Sequence, residues 1–153
     1  MIIAISGSVG TGKTVVAELL GKKLKWKVID LNSFAKEKGL VSGYDKKRGC
    51  DIVDVERIDE EIQKEGDVII ESHYAHDIKS DVVVILRTNP GELRNRLKER
   101  KWKDEKIEEN VLSEIMEVCL SEALETGSKV LVIDTTKKTT KQVVDEIIKQ
   151  LKL

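Results

Sequence analysis

Gly7-Ser8-Val9-Gly10-Thr11-Gly12-Lys13-Thr14 is the stretch on which the reading of this chain turns. It satisfies in full the pattern of a glycine, four free positions, then Gly-Lys-Ser/Thr. Gly7, Gly10 and Gly12 let the backbone turn so that successive N–H groups point inward, towards phosphate oxygens. A helix beginning at Lys13 adds the positive end of its dipole. Lys13 then reaches the β and γ phosphates of ATP or GTP, and the Thr14 hydroxyl suits a Mg²⁺ ligand.

The surroundings support that reading. An apolar run, Ile2-Ser6, precedes the loop, and Val15, Val16, Leu19, Leu20 and Leu24 after it share one helical face. Further apolar runs at Trp26-Ile29, Asp67-Ile70, Val82-Leu86 and Lys129-Ile133 have the composition of parallel strands covered on both faces. Helical periods fill the gaps. Asn89 caps a helix with Pro90 at its first position, and a long helix runs from about Asp104 to Leu124 with Ile107, Val111, Ile115 and Cys119 in register. A last helix buries Val143, Val144, Ile147, Ile148 and Leu151 behind a capping box of Thr139 and Gln142. Strand and helix in alternation predict a doubly wound α/β domain, in which ligands bind at the carboxyl ends of the strands.

The bulk numbers agree. The 153 residues suffice for one domain, and 40% hydrophobic against 36% charged is a soluble composition. A formal net charge of -1 gives no general case for nucleic-acid binding. Cys50 and Cys119 read as small apolar residues in a reducing compartment, and the first residues are too few for a secretion signal. No run is long enough for a membrane span, so a cytoplasmic location is expected.

A phosphate loop calls for a metal-positioning acid at the end of a neighbouring strand, and Glu71 takes that place. His73 fits two readings, a pocket residue that orients a nucleophile or a structural histidine. Asp30 likewise fits either a substrate or metal contact or a helix cap. Arg87, Arg94, Arg96, Lys98, Arg100, Lys101 and Lys103 form a basic stretch able to close over phosphates; Arg87 and Arg100 are the expected ligands and the others surface charge. The loop from Asp134 to Lys138 is placed to touch a base or ribose, or is a plain connection.

The loop GSVGTGKT, the segment GYDKKRGCDIVDVERIDEEI (Gly43 to Ile62), VIIESH (Val68 to His73) and VILRTNPGELRNRLKERKW (Val84 to Trp102) together resemble the archaeal-type adenylate kinases. Those are relatives of the eukaryotic nuclear adenylate kinase known as coilin-interacting nuclear ATPase protein. The resemblance covers nearly the whole chain and implies a three-layer αβα domain over residues 1–153 with a five-stranded parallel sheet. It implies ATP on Gly10, Gly12, Lys13, Thr14 and Val15, with Arg100 in a short lid from about Glu99 to Glu109. A monophosphate-binding segment would run from about Asp30 to Asp54, with Asp30, Lys36 and Arg87 on the acceptor side.

The implied activity is transfer of the ATP γ-phosphate to AMP with Mg²⁺, together with ATPase activity. The implied partners are a small-subunit platform ribosomal protein and the pre-ribosomal particle, in late maturation of the small subunit. Two positions depart from the family: Glu71 stands where an aspartate is usual, and Lys36 where relatives carry arginine, so the bidentate phosphate fork is lost there. Two other functions stay open: an ATP-driven assembly factor with little kinase activity, and a small-molecule kinase of similar fold.

Overall fold

Every residue of Ile2–Gly7 (β1) is buried, because the strand is sandwiched between two cores rather than one. Ile2 and Ala4 face one core, and Ile3 and Ile5 the other, as the two-residue period of a strand requires. Val82–Arg87 (β6) divides the same way, with Val83 and Ile85 on one side and Val84 and Leu86 on the other. The computed structural model describes residues 1–47 and 49–153.

With Lys27–Asp30 (β2), Val68–Glu71 (β5) and Lys129–Asp134 (β7), these strands form a five-stranded sheet in the order β2-β5-β1-β6-β7, parallel throughout. Lys13–Leu24 (α1) and Thr140–Leu151 (α7) cover one face through Val16, Leu20, Val144 and Ile147. The other face carries Leu31–Glu37 (α2), Val55–Ile62 (α3), the 3-10 turn Ala75–Asp77 and Val118–Glu125 (α6). This is the α/β fold that the strand and helix periods predict, and all five expected strands lie within a residue or two of their expected bounds. Both expected caps are present, Asn89 on Gly91 N–H and the Thr139–Gln142 box.

Two features differ from the sequence reading. The long helix expected from Asp104 to Leu124 is broken: Asp104–Ile115 (α5) ends at Met116, and Glu117 takes a left-handed φ of 56° before α6 begins. The two halves have different partners. Ile107 and Val111 of α5 pack on Leu93 and Leu97 of Pro90–Glu99 (α4), whereas Ala123, Cys119 and Leu120 of α6 pack on the sheet. One straight rod cannot serve both, so Ile115, expected in register with the core, is 54% exposed at the break.

The second difference is a two-stranded antiparallel hairpin, Val41–Asp45 (β3) with Cys50–Val53 (β4), inside the segment Asp30–Asp54. Its strands are short and none of their residues is fully buried, so they lack the long apolar runs that revealed the main sheet. Arg48 lies outside the described residues.

Candidate active site

The sheet reverses its winding at β1: the chain moves outward to β2 through α1, and later to β6 and β7 on the other side. A crevice therefore opens at the carboxyl ends of β1 and its neighbours. There a cavity of about 630 Å³ is lined by the loop from Val9 to Val16, by Asp30, Asn32, Glu71 and His73, and by Arg96 and Arg100 from across the cleft.

The loop is held by its own contacts. Thr11 Oγ1 donates to Ser8 O at 2.7 Å, and Lys13 Nζ donates to the same carbonyl at 3.0 Å, folding the lysine back across the loop. The α1 N-terminus carries no side-chain cap, so its first N–H groups keep their donors for the cavity that Lys13, Thr14 and Val15 line. Gly10, at φ 89°, packs under α4; a Cβ there would meet Leu93 Cδ1 at 2.9 Å. Arg96 closes the same junction, donating from Nη1 to Gly10 O at 3.1 Å and to Thr88 Oγ1 at 3.3 Å.

Asp30 and Glu71 end paired strands in register with one another. Glu71 is buried, and its Oε1 accepts from Thr14 Oγ1 at 3.0 Å. Burial and then the negative charge of Asp30 push its carboxyl above the ordinary value, against the pull of the Thr14 hydrogen bond and Lys13. Burial lowers Lys13 despite the attraction of Glu71. Asp30 caps α2, accepting from Asn32 N at 2.9 Å, and it lines the cavity as well.

Water reaches the His73 ring from the cleft, but the other surroundings are protein. That crowding, and then Lys13, holds its pKa below the usual histidine value, so the ring is neutral at pH 7. Its edge-on neighbour Tyr74, centroid to centroid 5.1 Å, is buried with a phenol pushed up to about 12 by desolvation and then by Asp30. Arg100 caps α4 at its C-terminal end, 5.8 Å above the Trp102 ring, in the link between α4 and α5 where the lid was expected.

Of the residues singled out from sequence, the fold thus gathers Gly10, Gly12, Lys13, Thr14, Val15, Asp30, Glu71, His73 and Arg100 around one cavity. Arg87 is not among them. Its guanidinium binds the buried Glu114 carboxylate, the Glu114 carbonyl at 2.8 Å and Glu117 at 3.2 Å, which fixes the break between α5 and α6. Expected as an acceptor contact, Arg87 is a structural ion pair here, because the break brings two carboxylates to it. Lys36 is exposed and 3.7 Å from Asp51 of the hairpin, outside the cavity lining. Arg96 takes the place in the cleft that the sequence reading gave to Arg87. Nothing in its local sequence marked it out: it reaches the cleft because α4 packs against Gly10. Thr135 and Lys138, from the connection after β7, also line the cavity.

The sequence model described as "AAA domain" matches residues 3–117. A curated relative from Methanosarcina barkeri, carrying the name "Putative adenylate kinase", is 44% identical over 97% of this chain and 86% of its own. A relative of the same name from Thermococcus kodakarensis is 38% identical over 97% of this chain and 84% of its own. The chain belongs to this archaeal adenylate kinase family. Among solved structures, the YorR protein of Bacillus subtilis in complex with phosphorylated GDP superposes with a TM-score of 0.68 at 23% identity, covering 100% of this chain and 96% of that one. A shikimate kinase from Bacteroides thetaiotaomicron superposes with a TM-score of 0.64 at 18% identity, covering 100% and 99%. At those identities the likeness is one of fold. Among the described residues no helix is long and apolar enough to cross a membrane.

Proposed function

We propose that this member of the family is a nucleoside monophosphate kinase that passes the γ-phosphoryl group of ATP to AMP. One observation carries the reading: a single cavity joins the phosphate loop to Asp30 and Asn32 on the acceptor side, with Arg96 and Arg100 facing it. Phosphoryl transfer needs chiefly alignment and neutralisation of charge, and the cleft supplies cations on both sides.

Each residue then has a role. The N–H groups of Gly10, Gly12, Thr14 and Val15 cradle the donor phosphates, and Lys13 moves from Ser8 O onto the β and γ phosphates. Arg100 neutralises the equatorial oxygens of the transferring group. The bond from γ-phosphorus to the bridging oxygen breaks, a phosphate oxygen of AMP bonds to that phosphorus, and two ADP molecules result. AMP phosphate is already anionic, so no strong base is required. Neutral His73 is suited to accept a hydrogen bond from a water or an acceptor hydroxyl. Asp30 belongs to the acceptor side, and Lys36 adds positive charge to the segment from Asp30 to Asp54.

The residues present fit Mg²⁺. The Thr14 hydroxyl and Glu71 carboxylate, 3.0 Å apart, are hard oxygen donors of the kind that cation takes. Bound there with ATP, Mg²⁺ would neutralise phosphate charge. ATPase activity would be the same transfer with water as acceptor.

A role in maturation of the small ribosomal subunit is the second reading. Exposed Leu112, Ile115 and Met116 at the C-terminal end of α5 favour a protein contact there, such as one with a small-subunit platform ribosomal protein. A pull-down of platform proteins with and without ATP tests it, and capture that ignores nucleotide counts against it.

The kinase reading is tested by incubating the protein with ATP, Mg²⁺ and labelled AMP, followed by a screen of other acceptors. Labelled ADP is expected, and Lys13→Ala abolishes it. If AMP yields no labelled ADP and leaves phosphate release unchanged, the reading fails.

A further inference from the structure

Ser6 is fully buried, and its Oγ lies 2.7 Å from Nδ1 of His76, itself only 2% exposed. On the other side of that ring, Nε2 meets Glu122 Oε2 at 2.9 Å and Asp77 Oδ1 at 3.6 Å. None of these four residues lines the nucleotide cavity, and no step of the proposed reaction uses them.

We propose that His76, Asp77 and Glu122 bind one divalent transition-metal cation of the zinc class. The geometry carries the argument. Ligand atoms about 2.0–2.1 Å from a tetrahedral zinc stand about 3.3 Å from one another. The two measured separations from Nε2, 2.9 and 3.6 Å, bracket that value. The three ligand atoms lie within 4.8 Å of one another, and the half-exposed Glu122 and Asp77 side chains can adjust by rotation.

A hydrogen-bond relay from Ser6 through His76 to Glu122 accounts for only part of the arrangement. It uses Nε2 once and leaves Asp77 at 3.6 Å, beyond hydrogen-bond range, aimed at the same nitrogen. The metal reading uses all three. Ser6 then accepts the Nδ1 proton, which leaves the Nε2 lone pair free and fixes the ring's orientation, as the outer partner of a ligating histidine does. Two carboxylates bring a charge that offsets a divalent ion, and the imidazole favours zinc over magnesium or calcium. Exposure of both carboxylates leaves water to complete the coordination. The ion would fasten α6 to the Ala75–Asp77 turn, whose His76 is hydrogen-bonded to Ser6 of β1, one residue before Gly7 opens the phosphate loop.

The test is a titration of the whole, nucleotide-free protein with Zn²⁺ against a chromophoric chelator, repeated with Co²⁺ to read coordination from its visible spectrum. One equivalent of Zn²⁺ is expected, and excess Mg²⁺ does not displace it. Asp77→Asn and Glu122→Gln replace exposed groups with near-isosteres, and each weakens binding at least tenfold with unfolding temperature little changed. Ser6→Ala weakens it about 10–100-fold, as loss of an outer partner does. Glu71→Gln and His73→Ala leave it intact. Absence of stoichiometric binding, or binding that survives Glu122→Gln undiminished, overturns the proposal. Loss with His73→Ala instead would assign the ion to the nucleotide cleft and overturn it equally.

Discussion

Gly10 is the point at which the phosphate loop leans on the helix behind it, and Gly10→Ala tests whether that contact matters. The substitution meets two penalties. An alanine held at φ 89° carries backbone strain of about 1–3 kcal/mol. Its Cβ would also stand 2.9 Å from Leu93 Cδ1 and 3.1 Å from Leu97 Cδ2, closer than carbon atoms pack. Leu93 and Leu97 are fully buried against Ile107 and Val111, so relieving the overlap disturbs that cluster, at about 1–3 kcal/mol. For a domain of this size each kcal/mol shifts Tm by about 2–4 °C. Gly127→Ala is the control: its φ is 76°, but a Cβ there meets nothing within 4 Å, so only the strain remains. Thermal unfolding followed by circular dichroism should show Gly10→Ala losing roughly 2–12 °C more than Gly127→Ala, from the contact contribution alone. ADP affinity should fall for Gly10→Ala and stay unchanged for Gly127→Ala. Equal losses of Tm in the two variants would refute the claim that α4 braces the loop.

Three further outcomes follow from named groups. Arg87→Ala should destabilise by about 3–5 kcal/mol in urea unfolding, because it strands the buried Glu114 carboxylate, while KM for AMP stays unchanged; a rise in KM with intact stability would return Arg87 to the substrate site. Desolvation first and negative neighbours next push the Cys119 thiol up to about 11, so about one molecule in a thousand is thiolate at pH 8. Its alkylation rate should rise about tenfold per pH unit up to pH ~10, and a plateau by pH 9 would contradict the burial argument. Arg96→Lys removes the Nη1 group that bridges Gly10 O and Thr88 Oγ1, and should weaken ADP binding more than it lowers Tm, read by calorimetry and unfolding together.

The main sheet was legible because its central strands β1, β5 and β6 are apolar on both faces, as a doubly covered parallel sheet demands. The loop was legible because phosphate binding fixes residue type and spacing together. What escaped depends on tertiary partners. Nothing local separates Arg87 from Arg96: the first is claimed by Glu114 and Glu117 only because the chain breaks at Glu117, and the second reaches the cleft only because α4 lies against Gly10. The break itself was hidden because Ile107 to Cys119 keeps a helical period across it, although the two halves bury against different cores. The β3–β4 hairpin was hidden for the opposite reason: it buries too little to show a pattern.

The last prediction concerns Glu71, where binding and stability should pull in opposite directions. Its carboxyl is raised by burial and by Asp30, so in the nucleotide-free protein the charged form is the disfavoured one. The sign follows directly. Between the unfolded value near 4.5 and the higher folded value, the folded state holds the proton more tightly, so stability falls as pH rises through that window. Above it the penalty is complete. Glu71→Gln removes the titration, and its amide oxygen can still accept from Thr14. Without nucleotide, the variant should therefore match the wild type in acid and exceed it in Tm at neutral pH. With Mg²⁺ and ATP the order reverses, because the wild-type carboxylate gains a cation and the amide does not. A ligand at about 100 times its Kd adds about 2.7 kcal/mol to stability, which Glu71→Gln should largely forgo. Unfolding scans from pH 4 to 8, with and without Mg²⁺ and ATP, decide the matter. If the nucleotide-free variant is no more stable than wild type at pH 8, Glu71 is not held at a cost for binding, and its assignment to the metal goes with it.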